Sequence, residues 1–117
     1  MPDTPQQSEV AFPMVSEELL PFINARVAAV FCQRPKPVRF VFLHYIANPR
    51  GKLGECLGLC VRCGDGAEIQ LKACPGWQNT AVHELVHLYN PGKSEKTIKA
   101  LTVEVIRLWK AAVENDA

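Results

Sequence analysis

The chain has neither a long apolar run nor a strong charge of either sign. No stretch of the 117 residues could cross a bilayer, and no charged start leads into an apolar export signal. We therefore expect a cytoplasmic protein without a membrane partner. The 13 basic and 12 acidic residues leave a net charge of +1, so the field is too weak to attract a phosphate backbone, and we expect no nucleic-acid partner.

The cysteines are few and odd in number, which argues against a complete disulfide framework. The chain has 5 of them, namely Cys32, Cys56, Cys60, Cys63 and Cys74, and an odd count without an export signal favours reduced thiols. Cys56, Cys60, Cys63 and Cys74 could in principle hold a structural zinc ion. However, Cys60 and Cys63 are separated by an odd number of steps on a predicted strand, so their side chains would face opposite sides. Buried, reduced cysteines are therefore the favoured interpretation, and a cysteine zinc site stays the alternative.

Apolar periodicity indicates a single small α+β domain at residues 16–117, after a polar, mobile lead-in at residues 1–15. Gly64, Asp65 and Gly66 predict a tight hairpin with antiparallel strands, so we expect a small, mostly antiparallel sheet of three strands. The predicted elements are a helix that begins near Ser16, strands at 38–46, 57–63 and 68–73, a helix at 79–90 capped by Asn79 or Thr80, and a last helix at 94–113.

The sequence His83-Glu84-Leu85-Val86-His87 lies on the predicted fifth element, a helix. Histidines four residues apart lie on the same side of a helix, so both imidazoles can reach one metal ion. Catalytic zinc takes three protein ligands and leaves a fourth position to water, from which the neighbouring Glu84 could remove a proton. The alternative is a helix whose histidines bond only to backbone or solvent.

The third ligand must come from elsewhere, because the chain has only one other histidine, His44, on the first predicted strand. Glu104 is the favoured candidate, since it lies between Leu101 and Leu108 on the apolar side of the last helix. It could instead be an exposed residue at the edge of that side. Glu95 is a weaker candidate, because the positive end of the helix dipole already explains a carboxylate in the first turn. His44 is a third candidate, but a lone histidine on a strand is more often a core or edge residue whose ring is already hydrogen-bonded.

With these residues in place, the chain resembles the gluzincin class of zinc metallopeptidases in its most compact form, the minigluzincins. The resemblance spans residues 16–113 in element order, but its specific part is the five-residue motif and one following carboxylate. It implies a minimal zincin-like fold in which His83, His87 and Glu104 bind zinc and Glu84 is the general base and acid.

Two further comparisons refine this resemblance. The longer metzincin motif does not fit, since Asn90 stands where that motif has glycine and Lys93 where it has the third histidine. Gluzincins often use a tyrosine or histidine to stabilise the oxyanion, and the sequence leaves that role open among Tyr45, Tyr89 and His44.

The sequence therefore predicts a zinc metallopeptidase that hydrolyses peptide bonds with water activated by the metal and Glu84. Its expected partner is a peptide or protein substrate, which by resemblance would lie against an edge strand of the sheet. The alternative is a module without catalytic activity that keeps zinc for stability and binds a partner protein.

Overall fold

The computed structural model describes residues 19–46 and 57–116, with side chains up to residue 110. Within these ranges the chain has three helices and three strands, which confirms the predicted α+β class. In chain order they are α1 (Leu19–Val30), β1 (Val38–Leu43), β2 (Gly58–Cys63), β3 (Gly66–Lys72), α2 (Trp77–Tyr89) and α3 (Glu95–Asp116). The predicted lead-in at 1–15, the predicted helix start near Ser16 and the residue Cys56 lie outside the described residues.

The sheet is mixed, with strand order β1-β3-β2. β2 and β3 form the predicted antiparallel hairpin, in which Cys63 pairs with Gly66 and Gly64 adopts a positive φ of 61°. β1 pairs with β3 in the parallel direction, so the sheet has one antiparallel and one parallel pair. Since β3 lies between the other two strands, β2 has one edge that no described strand covers.

The core lies between one face of the sheet and the helices. Ile69 and Leu71 on β3 are fully buried, as are Leu85 and Val86 on α2, and α2 contacts α1, α3 and both strands of the hairpin. A helix surrounded on most sides has to be apolar around most of its girth, as the α2 sequence is. The imidazole and carboxyl side chains of α2, those of His83, Glu84 and His87, are grouped at the candidate site.

The start of α2 differs from the sequence-based expectation. The prediction that Asn79 or Thr80 caps this helix was wrong, because α2 begins at Trp77 and no side chain caps it. Gly76 precedes it with φ of 88°, a left-handed conformation that glycine adopts without steric cost. Trp77 is buried, and its ring packs edge-on against Phe42 with 5.4 Å between centroids. This contact with the sheet extends the helix back to Trp77.

None of the helices in the described part of the chain is long and apolar enough to span a membrane.

Candidate metal centre

His83 and His87 lie one turn apart on the same side of α2, as the motif predicts. Their rings meet edge-on with 4.9 Å between centroids. Both Nε2 atoms point at the carboxylate of Glu95, at 2.9 Å from His83 to Oε1 and 3.1 Å from His87 to Oε2. Among the described residues, these three form the one group of histidine, cysteine and acidic side chains with the geometry to hold a metal ion.

The separations of these ligand atoms fit a small tetrahedral ion. Imidazole and carboxylate ligands bind zinc at about 2.0–2.1 Å, which places neighbouring ligand atoms about 3.3–3.4 Å apart. The observed 2.9 and 3.1 Å are a few tenths of an ångström shorter. The side chains of His83, His87 and Glu95 are 24, 31 and 37% exposed, so the group opens to solvent on one side, where water or a substrate could approach.

Glu95 reaches the histidines because the connection between α2 and α3 is short. Gly92 has φ of 82°, which permits a tight reversal of the backbone. Ser94 then caps α3, since the backbone N–H of Thr97 donates to its Oγ at 3.2 Å. Glu95 is therefore the first residue of α3 and faces back across α2, although the sequence favoured it less than Glu104.

Glu104, the predicted third ligand, is not part of the group. Its exposed carboxylate pairs with Arg107 one turn along the same helix, and that guanidinium lowers the pKa of the carboxyl group. Leu101 packs against the core as predicted, but the predicted inner side does not extend to Leu108 and Glu104. Leu108 is 42% exposed, and the buried line follows Ile98, Thr102 and Val105, which places Glu104 well away from the inner side.

His44 and Tyr89 take no part in the group either. His44 is exposed just beyond β1, the strand farthest from the uncovered edge of β2. The hydroxyl group of Tyr89 is held on the other side of α2, where it donates to Asn24 Oδ1 at 2.6 Å and accepts from the backbone N–H of Lys36 at 2.8 Å. This hydroxyl ties α2 to α1, so it is not directed at the metal centre.

Glu84 lies at the contact between α2 and β2, and 8% of its surface is exposed. Burial, and then the nearby charge of Glu95, raise its pKa from the ordinary 4.5 to about 7, while a hydrogen bond from the backbone N–H of Cys60 opposes that rise. A carboxyl group with this pKa can both accept and release a proton near neutral pH.

Gly58 allows β2 to approach α2 closely at Glu84. A Cβ atom at this position would lie 2.5 Å from Thr80 Cγ2 and 3.2 Å from Glu84 Cγ. Only a residue without a side chain fits there unless α2 or β2 moves. The sequence-based reasoning did not assign a role to Gly58, and a lone glycine in a strand indicated at most a close backbone approach.

His87 is held in place through its backbone as well as through its ring. Arg62 on β2 donates to the carbonyl oxygens of His87 at 2.8 Å and Leu88 at 3.2 Å, so it satisfies two carbonyl groups at the end of α2. The pKa of His87 is lowered, mainly by burial and despite the opposing charge of Glu95. A neutral imidazole is the form that binds a metal ion.

The cysteines of the described chain form no second centre. Cys32, Cys60, Cys63 and Cys74 are free thiols, and none belongs to a group with metal-binding geometry in that part of the chain. Cys60 packs against the core and Cys63 is exposed, so the opposite faces expected from their spacing are found, but the expected burial was wrong for Cys63. Burial is the main cause of the raised pKa of Cys60, so its thiol is protonated and unreactive. A site that includes Cys56 lies outside the described residues.

Comparison with protein-family models, curated proteins and solved structures found no match to this chain.

Proposed function

We propose that the protein is a zinc metallopeptidase, with His83, His87 and Glu95 as the metal ligands and Glu84 as the general base. The observation that carries this proposal is the convergence of two imidazoles and one carboxylate beside a second, buried carboxylate with a pKa of about 7. Three protein ligands leave a tetrahedral ion with a vacant position, which a hydrolytic site needs for water.

The choice of zinc rests on Glu84 as much as on the ligands. Two histidines and one carboxylate also bind non-haem iron, so the ligand set alone suits both metals. An iron oxygenase has no requirement for a carboxylate base next to the ligands, whereas a hydrolase does. Glu84 follows His83 directly on α2 and the charge of Glu95 reaches it, which favours the hydrolytic centre.

In this mechanism the protein residues position the reactants and move the proton. Zinc, when bound, would supply a Lewis acid that polarises the peptide carbonyl and acidifies water. Glu84 would take a proton from the attacking water and give it to the amine of the leaving peptide. Because the Glu84 carboxylate is fixed by the Cys60 N–H group, it would not have to become ordered when the substrate arrives.

The uncovered edge of β2 supports a peptide as the substrate. Cys63 and Gly66 flank a two-residue turn, so Gly58, Cys60 and Arg62 alternate with the residues that bond to β3. Their backbone groups point away from β3, and the Cys60 N–H is already used by Glu84. The remaining groups on this edge could pair with an extended peptide and guide it past the metal centre.

The test combines metal analysis with a peptide-cleavage assay on the purified protein. We expect about one zinc ion per chain and cleavage of members of a broad peptide library. Glu84→Gln should keep the zinc and lose cleavage, while Glu95→Ala should lose tight zinc binding. Glu104→Ala, which removes an exposed carboxylate from the same helix, is the matched control and should keep both properties.

Each competing interpretation predicts a different result. A protein that holds zinc but cleaves no peptide would support the non-catalytic module. Stoichiometric iron instead of zinc would contradict the hydrolytic centre. Loss of zinc in Glu104→Ala with retention in Glu95→Ala would contradict the ligand set proposed above.

A further inference from the structure

Thr102 is a buried polar residue on the inner side of α3, next to the metal centre. It is 7% exposed and lies between the buried apolar residues Ile98 and Val105. Its Oγ1 donates to the carbonyl oxygen of Ile98 at 2.8 Å and lies 3.4 Å from Nδ1 of His83. The single hydroxyl hydrogen is therefore committed to the backbone of α3, a common arrangement for threonine inside a helix.

This arrangement suits one of the two neutral tautomers of His83. The Thr102 hydroxyl can only accept from Nδ1, since it has no second hydrogen to donate. When Nδ1 of His83 carries the hydrogen, Nε2 presents its lone pair toward Glu95 Oε1, 2.9 Å away. Two electron-rich atoms at this distance repel each other unless a cation or a proton lies between them, so this tautomer is the one that a metal-bound centre requires.

We propose that Thr102 is a positioning residue that fixes the tautomer and ring orientation of His83 so that Nε2 is available to a metal ion. This rests on the proposed metal centre and adds a residue to it. Metal-binding histidines usually donate their other ring N–H to a fixed acceptor, and loss of that acceptor typically weakens metal binding by about 10–100-fold. Thr102 supplies the acceptor from a different helix, so its hydroxyl links α3 to the ligand on α2.

The test compares Thr102→Val, which removes the acceptor at nearly constant volume, with Thr102→Ser, which keeps it. Zinc affinity is measured by competition with a chromophoric chelator. The hydrogen bond of His83 Nδ1–H is measured by ring nitrogen NMR on the zinc-loaded protein, from the rate at which that hydrogen exchanges with solvent. Val103→Ala is the control, because Val103 is 68% exposed on the same helix.

We expect Thr102→Val to bind zinc about 10–100-fold more weakly and to exchange the Nδ1 hydrogen of zinc-bound His83 faster with solvent. Thr102→Ser and Val103→Ala should resemble the wild type in both measurements. Wild-type zinc affinity in Thr102→Val, together with an unchanged exchange rate, would overturn the role of Thr102 while leaving the metal centre intact. A wild-type protein that binds no zinc would overturn the proposed function itself. Thermal unfolding of each metal-free variant separates a local effect from loss of the fold.

Discussion

Glu84 should lower the stability of the metal-free protein as pH rises. Its pKa is 4.5 in an ordinary setting and about 7 in the fold, so the folded state binds the proton more tightly than the unfolded chain does. The stabilisation from this group is fully present below pH 4.5 and is lost as pH rises through 7. A pKa shift of this size lowers the free energy of unfolding by about 3 kcal/mol at high pH, and about 2–3 kcal/mol of that loss occurs between about pH 5 and pH 8.

Glu84→Gln removes this titration while keeping an acceptor for the Cys60 N–H group. We expect the variant and the wild type to have similar free energies of unfolding at about pH 5 when differences other than ionisation are small. At about pH 8 the metal-free variant should be more stable by about 2–3 kcal/mol. A substitution that abolishes the proposed activity should thus stabilise the metal-free fold.

The measurement is urea unfolding with a chelator present, for both proteins at both pH values. The change in their difference between the two pH values isolates Glu84, because the other titrating groups are common to both proteins. Glu104→Gln is the control, since that carboxylate is exposed and should give no comparable pH-dependent gain. An equal stability difference at both pH values would show that Glu84 is ionised in the fold without cost, and the assignment of a buried base would be refuted.

Three further substitutions test the surroundings of the centre. Gly58→Ala should destabilise the fold by about 1–3 kcal/mol and reduce the proposed peptide cleavage, because the new Cβ would overlap Thr80 and displace β2. Wild-type values for unfolding and cleavage would contradict that packing. Arg62→Met should lower the free energy of unfolding in urea by about 1 kcal/mol and leave the zinc content unchanged. A loss of zinc would show that the hydrogen bond from Arg62 to the His87 carbonyl group is needed for metal binding. Tyr89→Phe should lower the free energy of unfolding by about 1–3 kcal/mol, because Asn24 Oδ1 loses its donor, yet leave the proposed peptide cleavage by the folded chain unchanged. A selective fall in cleavage would indicate that the Tyr89 hydroxyl stabilises the oxyanion.

The parts of the fold that could be predicted from the sequence are those set by neighbouring residues. The Gly64-Asp65-Gly66 turn determines its hairpin locally, and four-residue spacing places His83 and His87 on one side of any helix. The parallel pairing of β1 with β3 has no such local signal, since it depends on contacts between distant segments. The same holds for the start of α2, where the burial of Trp77 outweighed the capping preference of Asn79.

The place of Glu95 beside His83 and His87 was not favoured by the sequence, because it depends on how α3 is rotated about its own axis. The apolar residues of α3 allow more than one inner side, and the choice that includes Leu101 and Leu108 points to Glu104. Packing instead buries Ile98 and Thr102. Since Glu95 and Thr102 are about two helical turns apart, they lie on the same side of the helix. Thr102, a polar residue among the buried apolar positions of α3, was the one feature of the sequence that indicated this alternative rotation of the helix.

The destabilising effect of ionised Glu84 and its suitability as a general base have the same physical origin. Burial against β2 and the charge of Glu95 make its ionised form unfavourable, and those interactions also bring its pKa to the range in which a general base works. A divalent ion among His83, His87 and Glu95 would compensate the negative charge that Glu84 experiences. Metal binding should therefore stabilise the fold most at high pH, where Glu84 is ionised, so stability and the proposed catalysis would both depend on this carboxylate.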